Sequence, residues 1–225
     1  LKIDQFGRDR GGPDVDGQPN QAASPLVDGF AAPEYAFPFP FHCRAGLHTR
    51  CRSSGQHVWS STKRCERHGI HIADDVVYIT DRNTSVCIMY TLDGKPIQML
   101  GRYGQHSDTG CENPGDLVPR AAGPFNYPAE LVPSASGDLY VADGYRNSRV
   151  HRFSNDGQLK QSWGEPGKQG PNEFHLPHSL LVDGDNVVVC DRENDRIQVF
   201  GLDGEFKEIW DDIQRPMDIS MAVSY

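Results

Sequence analysis

A repeat is the feature that most constrains the fold of this 225-residue chain. Three stretches can be laid over one another and a fourth begins near the end, at residues 68–101, 129–164, 178–210 and 215–225. A period of about 40 to 50 residues is typical of β-propeller blades, each of which is a four-stranded sheet. Since one blade cannot bury both of its faces, neighbouring copies are expected to stack around an axis.

Each copy shows the same order of short β-forming runs and polar turns. The second run ends in an aspartate, at Asp81, Asp143 and Asp191. The last hairpin is closed by an Asp-Gly pair, at Asp93-Gly94, Asp156-Gly157 and Asp203-Gly204. This pair favours tight hairpins in which both residues accept positive φ. With no helical periodicity, the sequence predicts an all-β fold: a β-propeller of four-stranded blades, with three complete repeats and part of a fourth from a six-bladed parent.

The first 67 residues differ from the repeats, so we divide the chain into residues 1–67 and 68–225. Residues 7–40 are rich in Gly, Pro, Asp and Ala and resemble a linker. Residues 42–67 hold six Lys and Arg against one acid, with three His and three Cys. Poor order is the favoured interpretation because apolar residues are few. The alternatives are a degenerate blade, a basic patch for an anionic partner, or a Cys/His metal cluster.

Composition excludes several classes of protein. The formal charge of −9 argues against nucleic acid as a partner, because phosphate binding depends on Lys/Arg patches. No stretch approaches the ~18 apolar residues of a membrane span. The six cysteines contain no C-x-x-C pair, which argues against a zinc ribbon. Their even number permits disulfides and a secreted or periplasmic location, and buried free thiols are the alternative.

One position of the repeat is expected to face the central funnel of the propeller. It follows the X-Pro or X-Arg step and holds His68, Ala129, His178 and Met217 in turn. In a six-bladed ring alternate blades lie a third of a turn apart. His68 and His178 would then be two legs of a three-histidine zinc site with an open position. Ordinary histidines at strand edges are the simpler interpretation of the same spacing.

Three longer motifs carry a resemblance to a known family. They are Asp143-Gly-Tyr-Arg-Asn-Ser-Arg, Leu176-Pro-His-Ser-Leu and Asp191-Arg-Glu-Asn-Asp-Arg-Ile-Gln-Val-Phe. In this order they resemble the NHL-repeat propeller of peptidyl-α-hydroxyglycine α-amidating lyase, especially of its bacterial relatives, over roughly residues 68–225.

The resemblance implies a function and a set of site residues. The family splits a peptidyl-α-hydroxyglycine into a peptide amide and glyoxylate, so the expected partner is a small peptide or hydroxylated amide. His68 and His178 match two of the family's three zinc ligands, with calcium as a second candidate cofactor. Tyr145 matches the proposed base, and Arg192 matches an arginine that engages substrate and holds the charge of that tyrosine. Without the resemblance, Tyr145 would be a capping aromatic and Arg192 part of an inter-blade salt bridge.

Several features of the family have no match in this sequence. The third histidine and a calcium-linked aspartate would lie beyond Tyr225, and a further active-site arginine would lie before His68, where Arg44 cannot be aligned. The two disulfides of the animal enzymes are replaced by the pairs Asn126 with Arg146 and Val188 with Val199.

Three hypotheses therefore stand beside one another. The protein is a zinc-dependent lyase, a non-catalytic NHL propeller that binds a protein or small ligand, or an inactive piece of the enzyme. An incomplete ring would expose blade faces, through which assembly with a partner is expected.

Overall fold

The computed structural model describes residues 67–221 and, before them, the backbone of residues 2–5, 48–51 and 57–60. The strands are β1 (Lys2–Gln5), β2 (His48–Cys51), β3 (His57–Ser60), β4 (Arg67–Ala73), β5 (Val76–Asp81), β6 (Val86–Thr91), β7 (Pro96–Gly101), β8 (Glu130–Pro133), β9 (Leu139–Asp143), β10 (Arg149–Phe153), β11 (Leu159–Trp163), β12 (Glu165–Pro166), β13 (Glu173–Phe174), β14 (Pro177–Asp183), β15 (Asn186–Asp191), β16 (Arg196–Gly201), β17 (Phe206–Trp210) and β18 (Pro216–Ser220). Within these described ranges the one helical element is a 3-10 turn, Arg192–Asn194.

Three four-stranded antiparallel sheets follow one another along the chain. Their strand orders are β4-β5-β6-β7, β8-β9-β10-β11 and β14-β15-β16-β17. We refer to them as the first, second and third blades. This arrangement confirms the predicted all-β fold of four-stranded propeller blades. The fourth copy contributes β18, which pairs in antiparallel fashion with β1.

The remaining strands form two-stranded sheets. Strands β2 and β3 form a hairpin, and β12 pairs in parallel with β13 between the second and third blades. The interpretations of residues 7–40 and 42–67 fall largely outside the described residues. The division of the chain at residue 67 stays a prediction.

Apolar side chains fill the spaces between neighbouring blades. Strands β9 and β15 are buried along almost their whole length, which is why they are nearly continuous runs of β-forming residues. The cluster between the first and second blades comprises Cys87, Met89, Leu100, Phe125, Leu131, Leu139, Val141 and Phe153. The cluster between the second and third comprises Val132, Tyr140, Ala142, Val150, Trp163, Phe174, Leu180, Val187, Val189 and Phe200. Because each cluster draws on two blades, burial requires the stacking that the repeat predicts.

The Asp-Gly hairpins form where predicted, but with a different turn. Only the glycine of each pair has positive φ, at Gly94, Gly157 and Gly204. In the first blade the Gly94 amide donates to the Thr91 carbonyl and the Thr91 amide to the Lys95 carbonyl, both at 2.9 Å. This is a three-residue loop with glycine in the left-handed position, and the expectation of positive φ at both residues was wrong.

The X-Pro step places its first residue in an unusual backbone conformation. Tyr127, Leu176 and Arg215 precede the prolines of the second, third and fourth copies, with φ of 60°, 65° and 43°. Residues other than glycine seldom adopt a positive φ, and this backbone conformation costs about 1 to 3 kcal/mol for each of them. The strained residues all lie where the chain enters the innermost strand of a blade.

For three of the six cysteines, the structure distinguishes between a disulfide and a free thiol. Cys87 and Cys190 are buried and Cys111 is half-buried, and all three are free thiols. The side chains of Cys43, Cys51 and Cys65 lie outside the described residues. Among the described residues no helix is long and apolar enough to cross a membrane.

Candidate functional site

Three blades bring the four predicted site residues to one place. His68 lies near the start of β4 and His178 near the start of β14, which are the first strands of the first and third blades. Tyr145 lies in the turn after β9 of the second blade, and Arg192 begins the 3-10 turn after β15. The four side chains are separated by up to 124 positions in the sequence, so only blade stacking can assemble them.

The hydroxyl of Tyr145 is the centre of this cluster. Its oxygen lies 2.8 Å from Nε2 of His68 and 3.1 Å from Nε2 of His178. Nη1 of Arg192 donates to the same oxygen at 3.3 Å. The two imidazole rings are 4.7 Å apart between centroids.

Backbone carbonyls set the orientation of both imidazoles. Nδ1 of His68 donates to the carbonyl oxygen of Ala129 at 3.0 Å, and Nδ1 of His178 donates to that of Met217 at 2.6 Å. Ala129 and Met217 occupy the same repeat position in the following copies. Since a carbonyl only accepts, each Nδ1 carries the proton, and the neutral ring presents a bare Nε2.

Burial keeps both rings neutral. Desolvation lowers the pKa of His68, and the Arg192 charge acts in the same direction against the hydrogen bond to Ala129. The pKa of His178 lies well below its ordinary value, first through desolvation and then through the neighbouring His68 and Arg192. Two Nε2 lone pairs therefore face one phenol, whose single proton can satisfy only one of them. This donor set is suited to a cation between the two rings.

Ion pairs hold Arg192 in position. Its Nε donates to Oε1 of Glu193 at 2.9 Å, and Arg215 donates to the same oxygen from Nε and Nη2 at 3.1 and 2.9 Å. Burial opposes the charge of Glu193, but the two arginines prevail and lower its pKa. The sequence analysis did not single out Glu193 or Arg215.

Buried aspartates support the turns that carry Tyr145 and Arg192. Asp143 is fully buried and accepts the backbone amide of Asn126 at 3.0 Å, the side-chain amide of Asn147 at 2.8 Å and a nitrogen of His151 at 3.2 Å. In the third blade Asp191 accepts Nε of Arg196 at 2.8 Å. The repeated aspartate thus secures the turn rather than touching the site.

A second arginine lies near the ring of Tyr145, and it comes from the first blade, which precedes Tyr145 in the sequence. The guanidinium carbon of Arg82 lies 4.9 Å from the centroid of the Tyr145 ring, compared with 5.3 Å for Arg192. Sequence reasoning missed Arg82, although a signal was present: Asp81-Arg82 occupies the repeat position of Asp191-Arg192.

Only two of the three predicted metal ligands are found among the described residues. His68 and His178 converge, but across the residues the structure describes no group of three or more His, Cys, Asp or Glu side chains is arranged to hold a metal ion. Zinc and calcium therefore stay predictions.

The match to one family model agrees with the fold. Residues 129–219 match a family described as a 6-bladed beta-propeller. A solved virginiamycin B lyase of Staphylococcus aureus is 17% identical with a TM-score of 0.44, covering 65% of this chain and 41% of that one.

The chain is similar in sequence to curated proteins named as amidating enzymes or as NHL repeat proteins. Peptidyl-glycine alpha-amidating monooxygenase B of Xenopus laevis is 32% identical over 60% of this chain and 19% of its own length. Peptidyl-alpha-hydroxyglycine alpha-amidating lyase 1 of Drosophila melanogaster is 29% identical over 60% of this chain and 25% of its own. NHL repeat-containing protein 3 of Homo sapiens is 34% identical over 56% and 36%.

The chain thus matches between about a fifth and about a third of the length of these relatives. The chain therefore has the blade architecture of a β-propeller, and it is similar over part of its length to NHL repeat-containing protein 3 and to peptidyl-α-hydroxyglycine α-amidating lyases.

Proposed function

We propose that this protein is a zinc-dependent lyase that cleaves a peptidyl-α-hydroxyglycine into a peptide amide and glyoxylate. The observation that carries the proposal is the convergence of two bare Nε2 atoms and one guanidinium on the hydroxyl of Tyr145. The amidating lyases among the relatives support the same reaction.

His68 and His178 would hold the zinc ion through Nε2. Their Nδ1 hydrogens are engaged by backbone carbonyls, and burial keeps both rings neutral, as ligation requires. When bound, zinc acidifies a hydroxyl group in its open coordination position.

Tyr145 acts as the base in this proposal. In its phenolate form Tyr145 takes the proton of the substrate hydroxyl, the C–O bond becomes the carbonyl of glyoxylate, and the C–N bond breaks. The phenol then returns this proton to the leaving amide nitrogen, so Tyr145 ends as it began and the atoms and charges balance. Arg192, held by Glu193, stabilises negative charge on the phenolic oxygen.

Glyoxylate release from a hydroxyglycine-ended peptide tests the reaction. We expect turnover by the wild-type protein and a loss of about 10² to 10⁴ in kcat for Tyr145→Phe, the range for removal of a general base. Tyr103→Phe, at a half-exposed tyrosine, is the matched control and keeps wild-type kcat.

Metal analysis tests the ligand assignment. We expect one zinc per chain in the wild-type protein and loss of that zinc in His178→Ala, while His71→Ala, on the same strand as His68, retains it. A protein that takes up no zinc at saturating supply and releases no glyoxylate would contradict the lyase proposal. Its place would be taken by the non-catalytic NHL propeller that binds a protein or small ligand; one relative, NHL repeat-containing protein 3, is named for the repeat alone.

A further inference from the structure

A cavity of about 600 Å³ opens between the first and second blades. It is lined by the end of β7, by the β10–β11 hairpin and by two short stretches of the segment that joins the blades, residues 105–107 and 123–124. Its volume lies within the range of small-molecule sites, about 300 to 1,000 Å³. None of the side chains described around Tyr145 lines this cavity, so it is a separate candidate site.

Leu100 is the lining residue that departs from the repeat. It pairs with Cys87, the second residue of β6, and Trp163 of the second blade pairs in the same way with Val150, the second residue of β10. A glycine with positive φ follows each of them. The second blade thus places an indole ring where the first blade places a smaller aliphatic side chain.

The aromatic residues around this position are spaced alike at both junctions between blades. In the cluster that contains the indole, the ring centroids of Phe174 and Phe200 are 5.7 Å apart. In the cluster that contains the leucine, those of Phe125 and Phe153 are 5.6 Å apart. The first junction has therefore not contracted around the smaller side chain, and volume that an indole fills at the second junction is left open.

The hairpin of the following blade covers this position in the same way at both junctions. A Cβ at Gly204 would lie 2.7 Å from Cδ2 of Trp163, and one at Gly157 would lie 3.2 Å from Cδ2 of Leu100. Leu100, Gly157 and Phe153 all line the cavity. The cavity therefore includes the region that corresponds to the indole position of the second blade.

One polar group in the cavity wall has no partner. The hydroxyl oxygen of Ser107 is buried and forms no hydrogen bond within the described part of the chain. The indole nitrogen of Trp163 is also buried without a partner there, so the corresponding position accepts a ring through packing alone. A ring with a polar substituent would add a hydrogen bond to the Ser107 hydroxyl, whose burial is otherwise uncompensated.

We propose that this cavity binds a small planar aromatic molecule of about the size of indole that carries a polar substituent. The ring takes the place that the repeat gives to a tryptophan side chain, between β7 and the hairpin of the second blade. Apolar contact supplies the affinity, because apolar cavities bind aromatic rings of matching size. The inference is independent of the proposed lyase reaction.

Titration of the purified full chain with 5-fluoroindole, followed by fluorine NMR, tests the proposal. We expect saturable binding with Kd of about 0.1 to 1 mM, ordinary for a ligand of about ten non-hydrogen atoms. Leu100→Trp introduces the residue of the second blade and should weaken binding by at least about tenfold. Leu92→Trp, the same change at an exposed leucine outside the cavity, should keep the wild-type affinity. No saturable binding by the wild-type protein, or equal affinity in Leu100→Trp, would overturn the proposal.

Trp163→Leu tests the same idea in the opposite direction and does not require the added ring of Leu100→Trp to be accommodated. It removes the indole between the second and third blades, so we expect a second molecule of 5-fluoroindole to bind each chain. A single bound molecule in this variant would show that the missing indole does not create the site, and the proposal would fail.

Two further probes define the ligand. We expect the wild-type protein to bind 5-hydroxyindole about threefold to tenfold more tightly than indole, and Ser107→Ala to remove this preference. Equal binding of these two probes by the wild-type protein would contradict the polar part of the proposal. Tighter binding of N-acetyltryptophanamide than of indole would assign the cavity to an aromatic side chain of a partner chain and overturn the small-molecule assignment.

Discussion

Glu130 is a carboxyl group placed just behind the candidate site. It follows Ala129, whose carbonyl oxygen accepts the Nδ1 hydrogen of His68, and its Oε2 accepts the backbone amide of Leu180 at 3.0 Å. Burial, assisted by the nearby Asp218, raises the pKa of Glu130 to about 7, and its hydrogen bonds only partly oppose this. The carboxyl group of Glu130, at the start of strand β8, is therefore mostly protonated and neutral below pH 7.

The pKa of Glu130 makes stability depend on pH. Because its folded pKa exceeds its unfolded value, the folded state retains the proton between pH 4.5 and 7, and the stabilisation is lost as pH rises through 7. In urea unfolding we expect wild type to lose about 1 to 3 kcal/mol more than Glu130→Gln between pH 5 and pH 8. Glu208→Gln, at an exposed position on β17, should keep the wild-type slope. Parallel pH profiles for wild type and Glu130→Gln would show that Glu130 does not titrate in this range.

At the scale of the element, turns depend on details that the repeat leaves open. The β4–β5 hairpin of the first blade has two aspartates at its tip, with φ of 48° at Asp74 and 61° at Asp75. The corresponding hairpin of the second blade uses Gly137, with φ of 86°. Equivalent turns thus meet the same need for left-handed backbone with different residues, and the first blade does so at a cost.

Asp75→Gly should stabilise the protein. Asp75 is exposed and holds positive φ, which glycine adopts without penalty. We expect the free energy of unfolding to rise by about 0.5 to 1 kcal/mol in urea titration. Asp93→Gly is the counterpart, because Asp93 does not have positive φ and its carboxylate accepts the Thr91 hydroxyl. It should destabilise, and the same sign for both variants would argue against the backbone explanation.

At the scale of the whole molecule, close contact between blade backbones assembles the site. A Cβ at Gly144 would overlap the carbonyl oxygen of Pro177 in the third blade, and one at Gly69 would come within 2.6 Å of the carbonyl oxygen of Ala129 in the second. These glycines flank Tyr145 and His68 in sequence. The approach that brings the site residues together therefore requires the absence of a side chain at both positions.

Gly144→Ala tests this contact. The added methyl would push the second and third blades apart, at a cost of about 1 to 3 kcal/mol in the free energy of unfolding. Urea titration against Gly123→Ala gives the control, because nothing lies within 4 Å of a Cβ at Gly123. Equal stability of the two variants would mean that the blades yield without strain.

Much of the architecture follows from local patterns. The blades, their four strands and the hairpin at each Asp-Gly pair were predictable because alternation and turn residues act over a few positions. The turn type at Asp93-Gly94 was not, since it depends on the loop length that the strand register selects. Arg82 was also missed, because its closeness to Tyr145 arises between blades.

The sequence by itself determined that this chain repeats a four-stranded unit and which residues end its strands, since these properties depend on neighbours along the chain. Only the tertiary structure decided that His68, Tyr145, His178 and Arg192 meet around one hydroxyl, that two carbonyls orient the imidazoles, and that Arg82 joins them. The physical reason is that these contacts cross from blade to blade, where packing and glycine-mediated backbone approach set the distances.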